Sequence, residues 1–577
     1  MAQATYAIQG IPLPTEHPNP PSRKEVTAWI NDPNNSRQVS LFMRALTEFQ
    51  KLSPTQDRLS YYRIAGIHGN PDVSWDGVGN PPGLTGWWCA HNKETFVTWH
   101  RPYLALFEQR IYDTMLTIIV RDIPENKRGL WKDAAKEWRL PYWDWASKQA
   151  YINDYGLPQI FTKERIDILD IVNDDPPTMV NIINPLSRFA NPTGVAMGDK
   201  KMGEFSLVGT PWDKAIATSR WGIDLTKPAA RWMNGINNWN DANKAIQGGS
   251  GITTIEDEVY RLFATNFSSW ESFESTKFHA DTNNDYLSLE FVHNVIHGAT
   301  GGGNGRLGHM ADPSVAAFDP IFWFHHCNID RLAAIFQTLH PAMWYSPTTG
   351  IGAAKLDPFH RDTTGASWSS DECRDWKTSL KYNYDDLSVQ VSPVGSARLF
   401  ALTPGATSDR QMDVQDDLSV LRMKINEKYG TLRREIQRAS DIIGRENDYT
   451  INVEYDRYAL DGASYYIRFF LGIPPSEVES FARPETYIGS MFTFSSTLEG
   501  TRNTVQCHNC LEQKREGVLS TAQIPITKAI LDLAKDPGKP DFRTMEPEEV
   551  ETYLETNLTW RAVIAIEVSH STSPPYL

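Results

Sequence analysis

The chain has 577 residues, of which 40% are hydrophobic, 22% charged and 11% aromatic. At roughly 150 residues per domain this length implies two or three domains, and the ring-rich composition excludes disorder as the overall state. A net charge of -15 with no long Lys/Arg run excludes a nucleic-acid partner, and no stretch approaches the roughly 18 consecutive apolar residues of a membrane span.

The opening residues, MAQATYAIQGIPLPTEHPNPP, lack a basic region followed by an apolar run, so a cytoplasmic location is expected. Five cysteines, Cys89, Cys327, Cys373, Cys507 and Cys510, are too few and too scattered for a disulfide framework. From Thr95, TFVTWHRPYLALFEQRIYDTMLTIIV repeats apolar residues at three- and four-residue spacing, predicting an amphipathic helix. DYLSLEFVHNVIHG (285–298) and FWFHHCNIDRLAAIFQTL (322–339) predict two more. After Tyr384 the texture turns to small residues, Ser, Thr and Pro, which reads as a linker, and a polar helix follows over 414–443. YTINVEYDRYAL, YYIRFFLG, YIGSMFTFSS and WRAVIAIEVS then alternate as strands do. The expected division is 1–390, a linker with its polar helix over 391–445, and a mainly β domain over 446–577.

Six of the fourteen histidines stand where a metal would be held. His293 and His297, four apart on a helix, project from one face with Cβ atoms about 6 Å apart. His325 and His326 sit in the apolar run AAFDPIFWFHHCNIDR, and consecutive helical residues point about 100° apart, so one faces the ion and the other stands behind it. His100 lies at the start of a helix. His91 is nine residues earlier, about two and a half turns, and cannot share that helix's face, which makes it a loop ligand. His68 in YYRIAGIHGNP completes the set. Imidazoles without Cys or carboxylate at ligand spacing favour a borderline metal, copper or zinc, and the aromatic surroundings suit copper chemistry with O2.

The motifs AGIHG, CAHNKETFVTWHRPYLALFEQ, SLEFVHNVIH, GHMADPSVAAFDPIFWFHHCNIDR, the KYNY pair at 381–384, GSMFTFSS and CHNC together resemble the type 3 copper proteins, and specifically fungal tyrosinases of the latent, two-domain kind. The resemblance implies a mainly α core, a four-helix bundle around a dicopper site, and a C-terminal, sandwich-like β lid. It implies two copper ions, with O2 as co-substrate: His68, His91 and His100 on copper A, His293, His297 and His326 on copper B, and His325 behind them. It implies a thioether from Cys89 to the ring of His91, and a water held by Glu290 and Asn294 that takes the phenol proton. It places Phe322 as the aromatic shielding copper B and Met310 in the pocket lining, although core is the better reading of Met310. Cys327 is read as packing.

The implied activity is ortho-hydroxylation of monophenols and oxidation of o-diphenols to o-quinones. The lid would insert Phe494 where substrate sits, until a protease cuts the linker. The CxxC of Cys507 and Cys510 reads as a zinc half-site, a redox pair or a soft site that passes Cu(I) to the core from a copper donor, and the absence of a second CxxC favours copper loading. The substrates are small phenols, and a homo-oligomer is compatible with the chain. The rival readings are a catechol oxidase or o-aminophenol oxidase, and, in another class, a haemocyanin-like oxygen carrier.

Overall fold

The architecture follows from four long helices that must each bury more than one face. The computed structural model describes the chain apart from residues 1–4, 15–18, 80–87, 175, 204, 206–209, 249–254, 280–284, 304, 389–408, 444–446, 477–485, 499–507, 539–541 and 566–577. Helix α1 (Ser36–Lys51) packs along the length of α3 (Phe96–Asp122), with the short α2 (Tyr61–Gly66) beside it. Helices α4 (Leu289–Gly301) and α5 (Ile321–Leu339) pack against each other, and α5 packs on α3. This is the expected bundle, although α1 carries no histidine, and His68 comes from the turn after α2 rather than from a helix.

The amphipathic reading of α3 holds only for its second half. From Phe96 to Glu108 every residue is buried, so this part lies inside the bundle on all sides; Val120 and Arg121 at the far end are exposed. Pro102 removes a backbone N–H from the first turns, and the freed Thr98 carbonyl accepts the Cys373 thiol at 3.8 Å. Helix α5 is buried over all but one residue, which obliges every polar group on it to find a partner. Asp330 finds four: Arg101 Nε at 2.7 Å, Arg23 Nη1 at 3.2 Å, and the Tyr382 and Tyr384 hydroxyls at 2.5 and 2.6 Å. Burial raises its pKa, but the Arg101 and Arg23 guanidiniums more than offset this and hold the carboxyl below its usual range. The KYNY tyrosines thus close the core: Asn383–Tyr384 pairs in parallel with Ser22–Arg23, tying the end of the domain to its beginning.

The C-terminal domain contains strands β1 (Thr450–Tyr455), β2 (Tyr465–Leu471), β3 (Tyr487–Phe492), β4 (Ser520–Pro525) and β5 (Leu558–Ile564). They form two antiparallel sheets, β3-β2-β5 and β4-β1, with no closed barrel among the described residues. Among the described residues three helices, His508–Arg515, Thr527–Lys535 and Pro547–Asn557, accompany the sheets and were not anticipated from the alternation of the strands.

The polar segment between the domains forms α6 (Asp409–Tyr429) and α7 (Thr431–Ile443). Both pack on the core helix Ile255–Ala264, and α7 also packs on the lid helix Thr527–Lys535. The end of α6 is clasped by the core: Lys428 Nζ lies 2.7 Å from Asp144 Oδ2, the buried Tyr429 hydroxyl donates to the same oxygen at 2.8 Å, and Arg331 donates to Tyr429 at 3.0 Å. Residues 389–408, where cleavage is expected, lie outside the described residues. Among the described residues no helix is long and apolar enough to cross a membrane.

Candidate metal centre

Each histidine is aimed by local backbone. Helix α4 starts at Ser288, whose side chain accepts from the Phe291 N–H, and this cap sets the phase that turns His293 and His297 to one side. It ends at Gly301, where a Cβ would lie 2.1 Å from the Ala311 nitrogen; glycine there lets the Met310 backbone reach His297. His100 is in the first turns of α3 and His326 in those of α5. His91 precedes Asn92, which is held at φ +52° by its own side-chain and backbone bonds to Thr276 and Glu290.

The rings converge on two adjacent positions. The Nε2 atoms of His293 and His297 lie 3.2 and 3.4 Å from His326 Nε2. His68, His100 and His326 form a second group whose ligand atoms lie within 4.8 Å of one another, and His68, Cys89 and His91 form a third. His68 Nδ1 meets the Pro313 carbonyl at 2.7 Å, His100 Nδ1 that of Phe96 at 2.7 Å, His297 Nδ1 that of Met310 at 2.8 Å, and His293 Nδ1 meets Asn294 Oδ1 at 2.9 Å. With the proton on each tethered Nδ1, the lone pairs of Nε2 face one another, an arrangement a bound cation stabilises.

The donor set fits copper. Nε2 of His68, His91 and His100 is buried with no protein hydrogen-bond partner. Burial lowers every one of these histidines: His68 to about 4, His325 to about 3, and His91, His100, His293, His297 and His326 well below the ordinary value. All are neutral imidazoles at neutral pH, as metal ligands must be. No carboxylate joins the groups. Cys89 does, but burial pushes its thiol up to about 12, so the thiolate that would bind a soft metal is not the resting form. It is a free thiol in this structure, close to both His68 and His91.

The structure brings together all six sequence-assigned ligands and adds detail to their neighbours. His325 lies 4.8 Å from His297 and 5.1 Å from His293 between ring centroids, on the side of the site rather than turned away, and neither of its nitrogens has a partner. Phe322 stands 4.1 Å from His326 and 5.0 Å from His68, between the groups. Met310 is fully buried and contributes through its carbonyl to His297; its side chain belongs to the core. The carbonyls of Pro313, Phe96 and Met310 were not found from sequence, because a backbone acceptor leaves no residue-type signature. Cys327 donates to the Leu140 carbonyl at 3.3 Å, a packing role.

Glu290 and Asn294 sit one turn apart on α4, both buried. Asn294 Nδ2 has no hydrogen-bond partner in the protein. Glu290 has five donors: Asn92 N–H at 2.7 Å and Arg457 Nη1 at 3.2 Å on Oε1; Thr276 N–H at 3.0 Å, Thr276 Oγ1 at 3.1 Å and Ser275 Oγ at 3.2 Å on Oε2.

The lid meets this site at several points. The Phe494 ring stacks on His297 at 3.9 Å and stands edge-on to His91 at 5.2 Å and His293 at 5.4 Å. These contacts turn Phe494 to the histidines and not solely to the lid's own core. Gly298, next to His297, admits Tyr466 and Phe492: a Cβ there would lie 2.7 Å from the Tyr466 hydroxyl and 2.9 Å from the Phe492 ring. Gln513, on α8 (His508–Arg515), accepts from Asn92 Nδ2 at 2.9 Å and donates to the His91 carbonyl at 3.3 Å. Cys510, on the same helix, is disulfide-bonded and in that state offers no thiolate to copper; Cys507 lies outside the described residues.

Comparison with known proteins agrees with this geometry. The model of the common central domain of tyrosinase matches residues 58–339, and that of the tyrosinase C-terminal domain matches residues 448–574. The chain is similar to the tyrosinase of Aspergillus fumigatus, 34% identical over 97% of this chain and 89% of that one, and to the tyrosinase of Podospora anserina, 28% identical over 91% and 95%. Among solved structures it is similar to the apo-protyrosinase of Aspergillus oryzae, with a TM-score of 0.76 and 31% identity over 97% of this chain and 91% of that one.

Proposed function

The chain belongs to the tyrosinase family, and on that footing we propose that the form described here is the latent enzyme, blocked by its own C-terminal domain and activated when the segment after Tyr384 is cut. It is a copper-dependent oxidase of phenolic substrates. In our reading His68, His91 and His100 hold one copper, and His293, His297 and His326 the other. The bound pair supplies O2 activation and accepts the electrons of the diphenol. The remaining steps fall to the protein. His297 offers its ring face as a platform, and a phenol ring taking the place of Phe494 would lie parallel to it. Phe322 and the apolar walls exclude water from the reacting ring. Asn294 Nδ2 donates to a water whose proton acceptor is Glu290, and that water takes the phenol proton before the ring is hydroxylated.

The observation that carries the reading is Phe494 on His297, because a ring stacked there leaves no room for a substrate ring. The test is oxygen uptake by copper-loaded protein with tyramine and with a catechol, before limited proteolysis and after cleavage and dilution. Uptake with both, appearing only after cleavage, is expected. Uptake with the catechol alone would make the protein a catechol oxidase and remove the basis for the Glu290 and Asn294 roles. Reversible O2 binding without turnover would make it a carrier.

A further inference from the structure

We infer that Arg457 is a second inhibitory group of the lid, which occupies the hydrogen-bonding position on Glu290 and suppresses hydroxylation separately from the ring block by Phe494. The inference rests on the tyrosinase reading above.

Arg457 follows β1 and is 2% exposed. Its Nη1 donates to Glu290 Oε1 at 3.2 Å, and its Nη2 donates to the Phe494 carbonyl. One guanidinium therefore joins the carboxylate of the core to the backbone of the plug. The other four donors on Glu290 come from Asn92, Ser275 and Thr276, all in the core. The donor on Oε1 from Arg457 is the one that departs. Its departure frees a lone pair on a fully buried carboxylate that lies one helical turn from the unpartnered Asn294 Nδ2. A water donating to Oε1 and accepting from Asn294 Nδ2 would replace it.

Holding a plug needs no buried arginine; burying a charge is costly unless it is paired, and the pair chosen here is with the proton-accepting residue of the site. The two blocks differ in what they stop. Phe494 excludes any ring. Arg457 leaves space for a catechol, which needs no added oxygen, yet denies Glu290 to the water that a monophenol requires.

The experiment uses the full, uncut, copper-loaded chain with F494G, F494G/R457Q and R457Q, and compares catechol with tyramine uptake. The ratio of the two activities in the cleaved, diluted wild-type enzyme is the reference. F494G should oxidise catechol while its tyramine-to-catechol ratio falls at least tenfold below the reference; F494G/R457Q should recover the ratio to within about threefold. A readout without copper accompanies it: in copper-free nicked protein, R457Q should weaken retention of the C-terminal fragment about tenfold or more, because the ion pair between Arg457 and Glu290 is lost. If F494G already hydroxylates at the reference ratio, or if R457Q raises both activities in equal proportion, Arg457 only fastens the lid and the inference is overturned. The same holds if F494G oxidises neither substrate while cleaved wild type oxidises catechol. Cleaved wild type inactive on catechol would instead overturn the tyrosinase reading itself.

Discussion

Phe494 and His297 lie ring over ring, 3.9 Å apart and 22° from parallel, although they belong to different domains and are separated by nearly 200 residues of chain. The backbone accepts a cost to place the ring there. Phe494 has φ +42°, in the left-handed region that side chains other than glycine avoid. Two bonds hold it: Arg457 donates to its carbonyl, and the Ser495 N–H donates to Ser464 Oγ at 3.2 Å.

This strain has a measurable signature. F494A and F494G both empty the plug and lose the same ring contacts, but only glycine adopts φ +42° without penalty. F494G should therefore be more stable than F494A by about 0.5–1 kcal/mol in copper-free thermal unfolding, the steric gain outweighing the greater unfolded-state entropy of glycine. Equal stabilities, or alanine the more stable, would mean that the plug backbone is not held left-handed in solution.

Cutting the chain within 389–408 severs one covalent tie and leaves the clasp of Lys428 and Tyr429 on Asp144 in place. The nicked wild-type protein should accordingly co-elute as one species at micromolar concentration, and its specific activity should rise on dilution as the lid dissociates. Y429A removes a buried ring, at a cost of about 3–5 kcal/mol, and should separate into two fragments at the same micromolar concentration. Size-exclusion chromatography decides; separation of nicked wild type at that concentration would show that the clasp contributes little.

Much of this site was legible in the sequence because its chemistry uses rare residues at tell-tale spacings. The HxxxH of His293 and His297, the buried His325–His326 pair and the loop position of His91 each imposed a geometry before any fold was known. What escaped was of two kinds. Backbone groups such as the Met310 and Pro313 carbonyls carry no letter of their own, and their role depends on how close a loop comes. Long-range partners such as Arg457, separated from Glu290 by 167 positions, are no better marked: Arg457 lies in the turn after β1, within a run whose alternation only says which residues share a face. The polar stretch over 414–443 was legible as helical but not as two helices, α6 and α7, parted at Gly430, and its anchoring was not legible, because Tyr429 and Lys428 look like any residues of a polar helix until Asp144 is placed beneath them.

The neutral state of the buried histidines fixes the proton balance of copper loading. Burial lowers them, His68 to about 4 and the others well below the ordinary value, so in the folded copper-free protein these six carry almost no imidazolium at pH 6. Ordinary histidines would be about three-quarters protonated there, and six would release roughly four to five protons on binding metal. Loading should release fewer than about one proton, read by calorimetry in buffers of different ionisation enthalpy. The sign of the linked stability follows. At these positions the unfolded chain binds more protons than the folded one between about pH 4 and 6.5, so their contribution to the stability of copper-free protein should be lost as pH falls through that window. A release of four or more protons at pH 6 would place the imidazoles in water, not in this core.

Cys89 is the remaining test of the site as a reacting centre. Its sulfur lies with the ligand atoms of His68 and His91, it has no disulfide partner, and burial keeps it as the thiol. A thioether to His91 would form a carbon–sulfur bond at the expense of the S–H and a ring C–H, releasing two protons and two electrons, which O2, the co-substrate of the copper-loaded protein, would accept as the oxidant. Copper-loaded protein exposed to air should therefore be lighter than copper-free protein by the mass of two hydrogens, with the loss confined to the peptide that holds residues 89 to 91. C89A should show no loss under the same conditions. An unchanged mass after aerobic copper loading, with Cys89 still open to alkylation when unfolded, would leave His91 fixed by the bonds that its own carbonyl and the neighbouring Asn92 make to Gln513, Glu290 and Thr276, and the lid would then be part of what holds the proposed copper ligand in place.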